Sequence, residues 1–239
     1  SNVSGCALFI EDLINSISNY KSIFKTLLIS SSQVENVIKN PHIKAVTLTG
    51  SEYAGSQVAM KAGREIKKTV LELGGSDCFI VLDDADIEKA AKTAILARFF
   101  NSGQSCIAAK RFLVHENIYD DFVIKVKTYI KKLNIGDPLL EETDIGPLAK
   151  IQFSEELDTL VQSSIKKGAK CLLGGTMKDA FYEPTLLIDV DINMDVFKCE
   201  TFGPVFCISK ISSSKEAINI ANNSEYGLGG SVWTKDIKK

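Results

Sequence analysis

The chain has 239 residues, 45% of them hydrophobic and 24% charged, with a formal net charge of −2. That profile fits a globular protein of one large domain or two smaller ones, and it leaves no basic footprint for nucleic acid or an anionic membrane. No apolar stretch reaches the roughly 18–20 residues that span a bilayer and no signal peptide opens the chain, so a cytoplasmic location is expected. Six cysteines without CxxC spacing argue against a disulfide framework or a zinc knuckle, and only two histidines, His42 and His115, exclude a histidine-rich metal site. No metal is expected.

In chain order, "ALFIEDLINSISN" (7–19) places apolar side chains at helical spacing, and "KTLLI" (25–29) reads as a buried strand. "SSSQVENVI" opens a helix with serine caps. "KAVTLTG" (44–50) is a second strand, "SQVAMKAGREI" (56–66) a helix and "KTVLELGG" (68–75) a third strand. This alternation predicts an α/β fold with a parallel, doubly wound sheet. A second α/β unit begins near residue 76: strand 78–82, an Asp-capped helix 84–100, a strand at "RFLVHE", and helices near 117–132 and 151–167. Strands near 170–173 and 204–210, a helix at 213–222 and the strand "GGSVWT" complete it. The chain starts at Ser1 without a methionine and stops just after that last apolar run, so both ends read as cut.

Four stretches carry candidate chemistry. "TLTGSEYAG" (47–55) sets Gly50 and Ser51 between a strand and a helix, where backbone amides can hold a phosphate. Ser56-Gln57 stands where a P-loop has Lys-Ser/Thr, no GxGxxG is present, and taken alone the stretch is better explained as an ordinary β-α turn. "LELGGSD" (71–77) ends an apolar strand with Glu72: a buried carboxylate there is tuned toward general-base work, an outward one is merely solvated. "NSGQSCIAAKR" (101–111) presents Cys106 after a glycine turn, unlike the other five cysteines, which read as core or surface residues. "CETFGPVF" (199–206) sets Glu200 ahead of a Gly-Pro turn, a place where a glutamate is usually solvated. Asp83, Asp84 and Asp86 are explained by helix capping.

Read together, "LTGSEYAG", "LELGG", "FFNSGQSCIAA", "DIGPL", "FYEPTLL", "ETFGPV" and "NNSEYGLGGSVWT" resemble the aldehyde dehydrogenase superfamily in motif order over essentially the whole chain. The likeness is strongest to bacterial succinate-semialdehyde dehydrogenases. It implies a fold in which residues 1–75 are the C-terminal part of an NAD(P)-binding domain with a Rossmann-like parallel sheet, and 76–239 an α/β catalytic domain, truncated at both ends. Cys106 would then be the nucleophile and Glu72 the base that activates the hydrolytic water. Gly50 and Ser51 would border the cofactor pyrophosphate, Glu200 would hold the nicotinamide ribose with Phe202 lining that pocket, and Asn101 and Gln104 would shape the cysteine loop. The implied reaction is NAD- or NADP-dependent oxidation of an aldehyde, succinic semialdehyde first among candidates, through a thiohemiacetal and a thioester.

The resemblance also implies departures. Phe100 stands where better-known members carry an arginine for the substrate carboxylate, an arginine that other relatives sharing "GQSCIAAKRF" also lack. Ser1 stands where NAD-preferring members often carry a glutamate, which leaves room for the 2′-phosphate of NADP. Family members run to about twice this length and assemble as homodimers or homotetramers, so the chain corresponds to the middle half of a subunit and is expected to be inactive alone. Two rivals stand beside this reading: a CoA-acylating semialdehyde dehydrogenase, against which Glu72 argues, and a non-catalytic truncated or split gene product.

Overall fold

A computed structural model describes residues 3–17, 19 and 22–238. Ser1, the position bearing on NADP, lies outside them. The chain divides into two compact units after Leu73, two residues before the boundary read from the sequence. Gly74 and Gly75 go with the second unit, where the Gly75 amide is bonded to Glu200.

The first unit opens with helix α1 (Ser4–Ile17). Its buried Glu11 pairs with Lys25 at 2.6 Å and accepts the Thr26 amide at 2.7 Å, which ties the following segment back to the helix. Residues 25–29 form no strand: Leu27 and Leu28 are exposed, and no strand of the described residues pairs with them. Apolar composition made the run look like a core strand, but a strand needs a neighbour to take its backbone hydrogen bonds. A 3₁₀ turn at Ser31–Gln33, with Gln33 Oε1 accepting the Ser30 amide at 3.0 Å, leads into α2 (Val34–Lys39). β1 (Ala45–Thr49) and β2 (Lys68–Glu72) pair in parallel around α3 (Glu52–Arg64), so the three-strand reading reduces to two. Gly55 is required where α3 crosses the end of β2: a Cβ there would sit 2.6 Å from Leu73 Cδ2.

The second unit runs through β3 (Asp77–Val81), α4 (Ile87–Phe99), β4 (Ala109–His115), α5 (Tyr119–Ile130) and α6 (Ile151–Lys166). It continues with β5 (Lys170–Leu173), the short hairpin of β6 (Met177–Lys178) and β7 (Phe181–Tyr182), and β8 (Thr185–Ile188). A single helical turn, α7 (Asp195–Lys198), then β9 (Val205–Ile211), α8 (Ser214–Asn222) and β10 (Gly230–Trp233) close it. The six-stranded sheet has the order β10-β3-β4-β9-β8-β5, parallel throughout except for the antiparallel β5.

Every residue of β3 and β4 is buried because helices cover both faces of the sheet. Phe79, Phe112 and Phe206 pack with α4 and α5 on one face; Ile80, Leu113 and Cys207 pack with α6, α7 and α8 on the other. On the first face Trp233, Phe79, Phe112 and Phe206 form an aromatic ladder across four neighbouring strands, with centroid spacings of 5.3, 5.2 and 3.7 Å. Among the described residues no helix is long and apolar enough to cross a membrane, and no cluster of His, Cys, Asp or Glu could hold a metal ion.

Candidate active site

In the first unit, β1 and β2 end side by side. Thr49 faces Glu72 in the parallel register, and the Gly50 amide donates to the Glu72 carbonyl at 2.9 Å. Ser51 caps α3, its Oγ accepting from the Ala54 amide at 3.2 Å. Nothing within this unit demands a glycine at position 50, since a Cβ there would approach no atom closer than 3.8 Å. The first-turn amides of α3 suit a phosphate. Glu72 is exposed, which corrects the buried alternative for its strand. β2 has a single partner strand, so its apolar neighbours do not enclose the carboxylate.

In the second unit, Cys106 sits between α4 and β4 in a loop of unusual backbone. Asn101 (φ 53), Ser102 (φ 55) and Gly103 (φ 75) are three consecutive left-handed residues. Such a run costs free energy for the two non-glycine members and persists only where surroundings enforce it. Several contacts do so here. Asn101 Nδ2 donates to the Gln104 carbonyl at 3.0 Å, and Gln104 Oε1 accepts the Ala149 amide at 2.9 Å. Ser102 Oγ accepts the Gly146 amide at 3.0 Å, fastening the loop to the "DIGPL" stretch. Cys106 is half-buried. Burial pushes the Cys78 thiol up to about 11 and the Cys207 thiol up to about 12, and raises those of Cys171 and Cys199, which makes these four poor nucleophiles near neutral pH.

Beneath this loop lie two cations that are fully buried, Arg98 from α4 and Lys110 from β4. Arg98 donates to the carbonyls of Ala109 (3.0 Å), Gly103 (2.7 Å), Thr201 (3.2 Å) and Gly203 (2.9 Å). Lys110 Nζ donates to those of Ser105 (2.9 Å), Cys106 (3.0 Å) and Ala108 (3.2 Å) and lies 3.4 Å from Glu200 Oε1. Desolvation pushes Lys110 down to about 8 and Arg98 down to about 10, Arg98 adding repulsion to Lys110 while Glu200 pulls both back up. Sequence reading missed both residues. The available signal was a cation in a run otherwise destined for the core: Arg98 between Leu96, Ala97 and Phe99, and Lys110 inside "IAAKRFLV".

Glu200 stands in the loop before β9. Its Oε1 accepts the Gly75 amide at 3.1 Å, while Oε2 takes no hydrogen bond among the described residues, and the side chain is 20% exposed. A free carboxylate oxygen at a partly open position suits a sugar hydroxyl, so the residues present fit a dinucleotide ribose. Phe202 is 41% exposed two residues further on, a flat apolar surface available to a ring. Within the second unit, therefore, the structure brings Cys106 and Glu200 onto one ammonium; within the first, it brings Gly50, Ser51 and Glu72 to adjacent strand ends.

The sequence of the aldehyde dehydrogenase family matches this chain over residues 2–239. Succinate-semialdehyde dehydrogenase (NADP(+)) 1 of Mycobacterium tuberculosis is 46% identical over 239 residues, covering 99% of this chain and 52% of the relative. The succinic semialdehyde dehydrogenase of Streptococcus pyogenes, solved in complex with NADP+, superposes with a TM-score of 0.92 at 36% identity, covering 97% of this chain and 52% of that one. The lactaldehyde dehydrogenase of Escherichia coli superposes with a TM-score of 0.94 at 34% identity, covering 98% and 50%. The chain spans about half the length of the curated relatives it matches. Fold, motif order and these likenesses agree: the chain belongs to the aldehyde dehydrogenase family.

Proposed function

We propose that this chain encodes the central part of an NADP-dependent aldehyde dehydrogenase acting on succinic semialdehyde, with the residues up to Leu73 contributing to the cofactor domain and those from Gly74 onward to the catalytic domain. The observation that carries this reading is the shared buried ammonium of Lys110, which touches the Cys106 carbonyl at 3.0 Å and Glu200 Oε1 at 3.4 Å. It supports a nucleophile loop and a ribose-binding carboxylate built as one piece. The cytoplasm is the proposed location and a homodimer or homotetramer the proposed assembly. NADP is favoured over NAD by the names of the relatives from M. tuberculosis and S. pyogenes.

The Cys106 thiolate attacks the aldehyde carbon, and the sulfur–carbon bond forms as the carbonyl oxygen becomes an oxyanion, stabilised by nearby backbone amides. Gly50 and Ser51 would border the cofactor pyrophosphate, Glu200 would hold the nicotinamide ribose and Phe202 would line the ring pocket. A dinucleotide held there would supply the acceptor for the hydride that the thiohemiacetal carbon loses as its oxyanion collapses to a thioester carbonyl on Cys106. Glu72 then takes a proton from water, whose oxygen attacks the thioester and releases the acid and the Cys106 sulfur. No histidine enters.

The test is NADPH formation from succinic semialdehyde and from lactaldehyde, without CoA, by this chain and by one extended at both ends to the length of its relatives. Oxidation of the semialdehyde by the extended, folded chain is expected. Absence of any reduction of NADP or NAD with either aldehyde overturns the reading.

A further inference from the structure

Arg98 and Lys110 have no part in the chemistry above, yet both are completely buried, and burying a cation costs several kcal/mol unless it is well partnered. Among the described residues their partners are almost all backbone carbonyls: four for Arg98 and three for Lys110, with Glu200 the single carboxylate in contact. Those acceptors fall on just two segments. Gly103, Ser105, Cys106, Ala108 and Ala109 belong to the nucleophile loop and its exit into β4, while Thr201 and Gly203 flank Glu200's own loop. Packing closes the same join: a Cβ at Gly103 would lie 2.3 Å from the Gly203 carbonyl oxygen. Two loops about a hundred residues apart in sequence are thus laced together by cations that no solvent reaches.

We propose that Lys110, supported by Arg98, is a positioning residue that sets the Cys106 loop and the Glu200 loop as a single unit, so that the geometry of the thiol and that of the ribose-binding carboxylate change together. The inference rests on reading Cys106 as the nucleophile. Hydrogen bonds from a charged donor into carbonyls are the strong kind, and their loss takes that donor from the half-buried Cys106 carbonyl and the buried Ala108 carbonyl, while the Ser105 carbonyl keeps the Ala108 amide. With Lys110 gone, Glu200 keeps only the Gly75 amide among the described residues, and the Cys106 carbonyl loses its ammonium donor. Arg98 alone then bridges the two loops, through Thr201 and Gly203 but through neither functional residue.

The test uses the purified chain and needs no turnover, so a failure of the dehydrogenase reading leaves its outcome untouched. Amide hydrogen exchange is followed in peptides covering 100–110 and 199–206, and iodoacetamide labelling of Cys106 is followed by mass spectrometry, with exposed Cys171 as internal control. In Lys110→Met, exchange in both peptides is expected to rise about tenfold together, and Cys106 labelling to accelerate about fivefold, with Cys171 unchanged. Val123→Ala, a cavity in the core under α5, supplies the comparison: it should spread lost protection over β3 and β4 instead. Should Lys110→Met not fold, Glu200→Gln weakens the same link from its partly exposed end and should raise exchange in 100–110 about threefold. Exchange that rises in 100–110 alone, or a folded Lys110→Met with both peptides and Cys106 labelling unchanged, overturns the proposal.

Discussion

The amide of Gly75 donates to Glu200 Oε1 at 3.1 Å, joining positions 125 residues apart. The approach is possible because neither Gly74 nor Gly75 carries a side chain. A Cβ on Gly75 would lie 2.4 Å from the Cys106 carbonyl oxygen and 2.8 Å from Leu228 Cδ1; one on Gly74 would lie 2.6 Å from Glu200 Oε2. The two clashes differ in kind, since a loop carbonyl held by Lys110 cannot retreat while a carboxylate can rotate. Gly75→Ala is expected to destabilise by about 2–3 kcal/mol and Gly74→Ala by about 1 kcal/mol or less. Urea unfolding followed by circular dichroism measures both, and equal costs would contradict this account.

Gly103 is more tightly bound still. It combines a left-handed backbone with a would-be Cβ 2.3 Å from the Gly203 carbonyl oxygen and 2.7 Å from an Arg98 guanidinium nitrogen. Gly103→Ala should therefore cost about 3 kcal/mol or more, with the strain falling on the join of the two loops. Asn101 has the same backbone hand but is exposed, and its side chain makes one bond, to the Gln104 carbonyl. Asn101→Gly trades that bond for a relaxed backbone and should change stability by no more than about 0.5 kcal/mol. Parallel denaturation curves for the two variants test the contrast.

These positions also show what a linear reading could reach. Local pattern located β3, β4, β9 and most helices, because continuous burial or helical periodicity is written within a few residues, and it singled out Cys106 from its glycine turn. It misplaced a strand onto residues 25–29, where apolar composition is not matched by any pairing partner among the described residues. It left the Glu72 environment open, and only the two-strand sheet decides that the carboxylate is exposed. Arg98 was missed because two of its carbonyl acceptors lie on a loop a hundred residues away, and Lys110 because its distant partner is the Glu200 carboxylate while its nearby carbonyls converge on it only in the folded loop. β6 and β7 were missed for lack of length, since two residues carry no alternation, whereas β8 was missed although β5, equally short, was located.

Burial of Lys110 has a consequence for the pH dependence of stability. Its pKa is depressed from 10.5 to about 8, so between those values the unfolded chain binds the proton that the folded chain has lost. Stability must therefore rise with pH through that window, by about 3 kcal/mol at full effect. Cys78 and Cys207 act the other way: raised from 9.0 to about 11 and about 12 by burial, they contribute stability that is complete below pH 9 and lost above it. The melting temperature is expected to climb from pH 7.5 to a maximum near pH 9 and then fall. Lys110→Met should abolish the climb and keep the fall. A wild-type melting temperature that declines steadily from pH 7.5 would show that Lys110 does not titrate in this window.

The two residues assigned to the covalent chemistry separate cleanly in kinetics. Cys106→Ser replaces a polarisable thiolate by a hydroxyl that has no adjacent base, so in the extended chain aldehyde oxidation should drop by about a thousandfold or more with no burst. Glu72→Gln leaves the thiol able to attack and the hydride able to leave, and removes only the group that deprotonates water. Rapid mixing should then show one equivalent of NADPH per subunit, followed by turnover slowed about a hundredfold or more. Because Glu72 is exposed in this chain, its replacement here should alter stability by no more than about 0.5 kcal/mol, and urea unfolding of the extended variant checks that the slow phase is not an unfolding artefact. Steady turnover at the wild-type rate in Glu72→Gln would assign the deacylating base to another residue, and a surviving burst in Cys106→Ser would remove the sulfur from the mechanism.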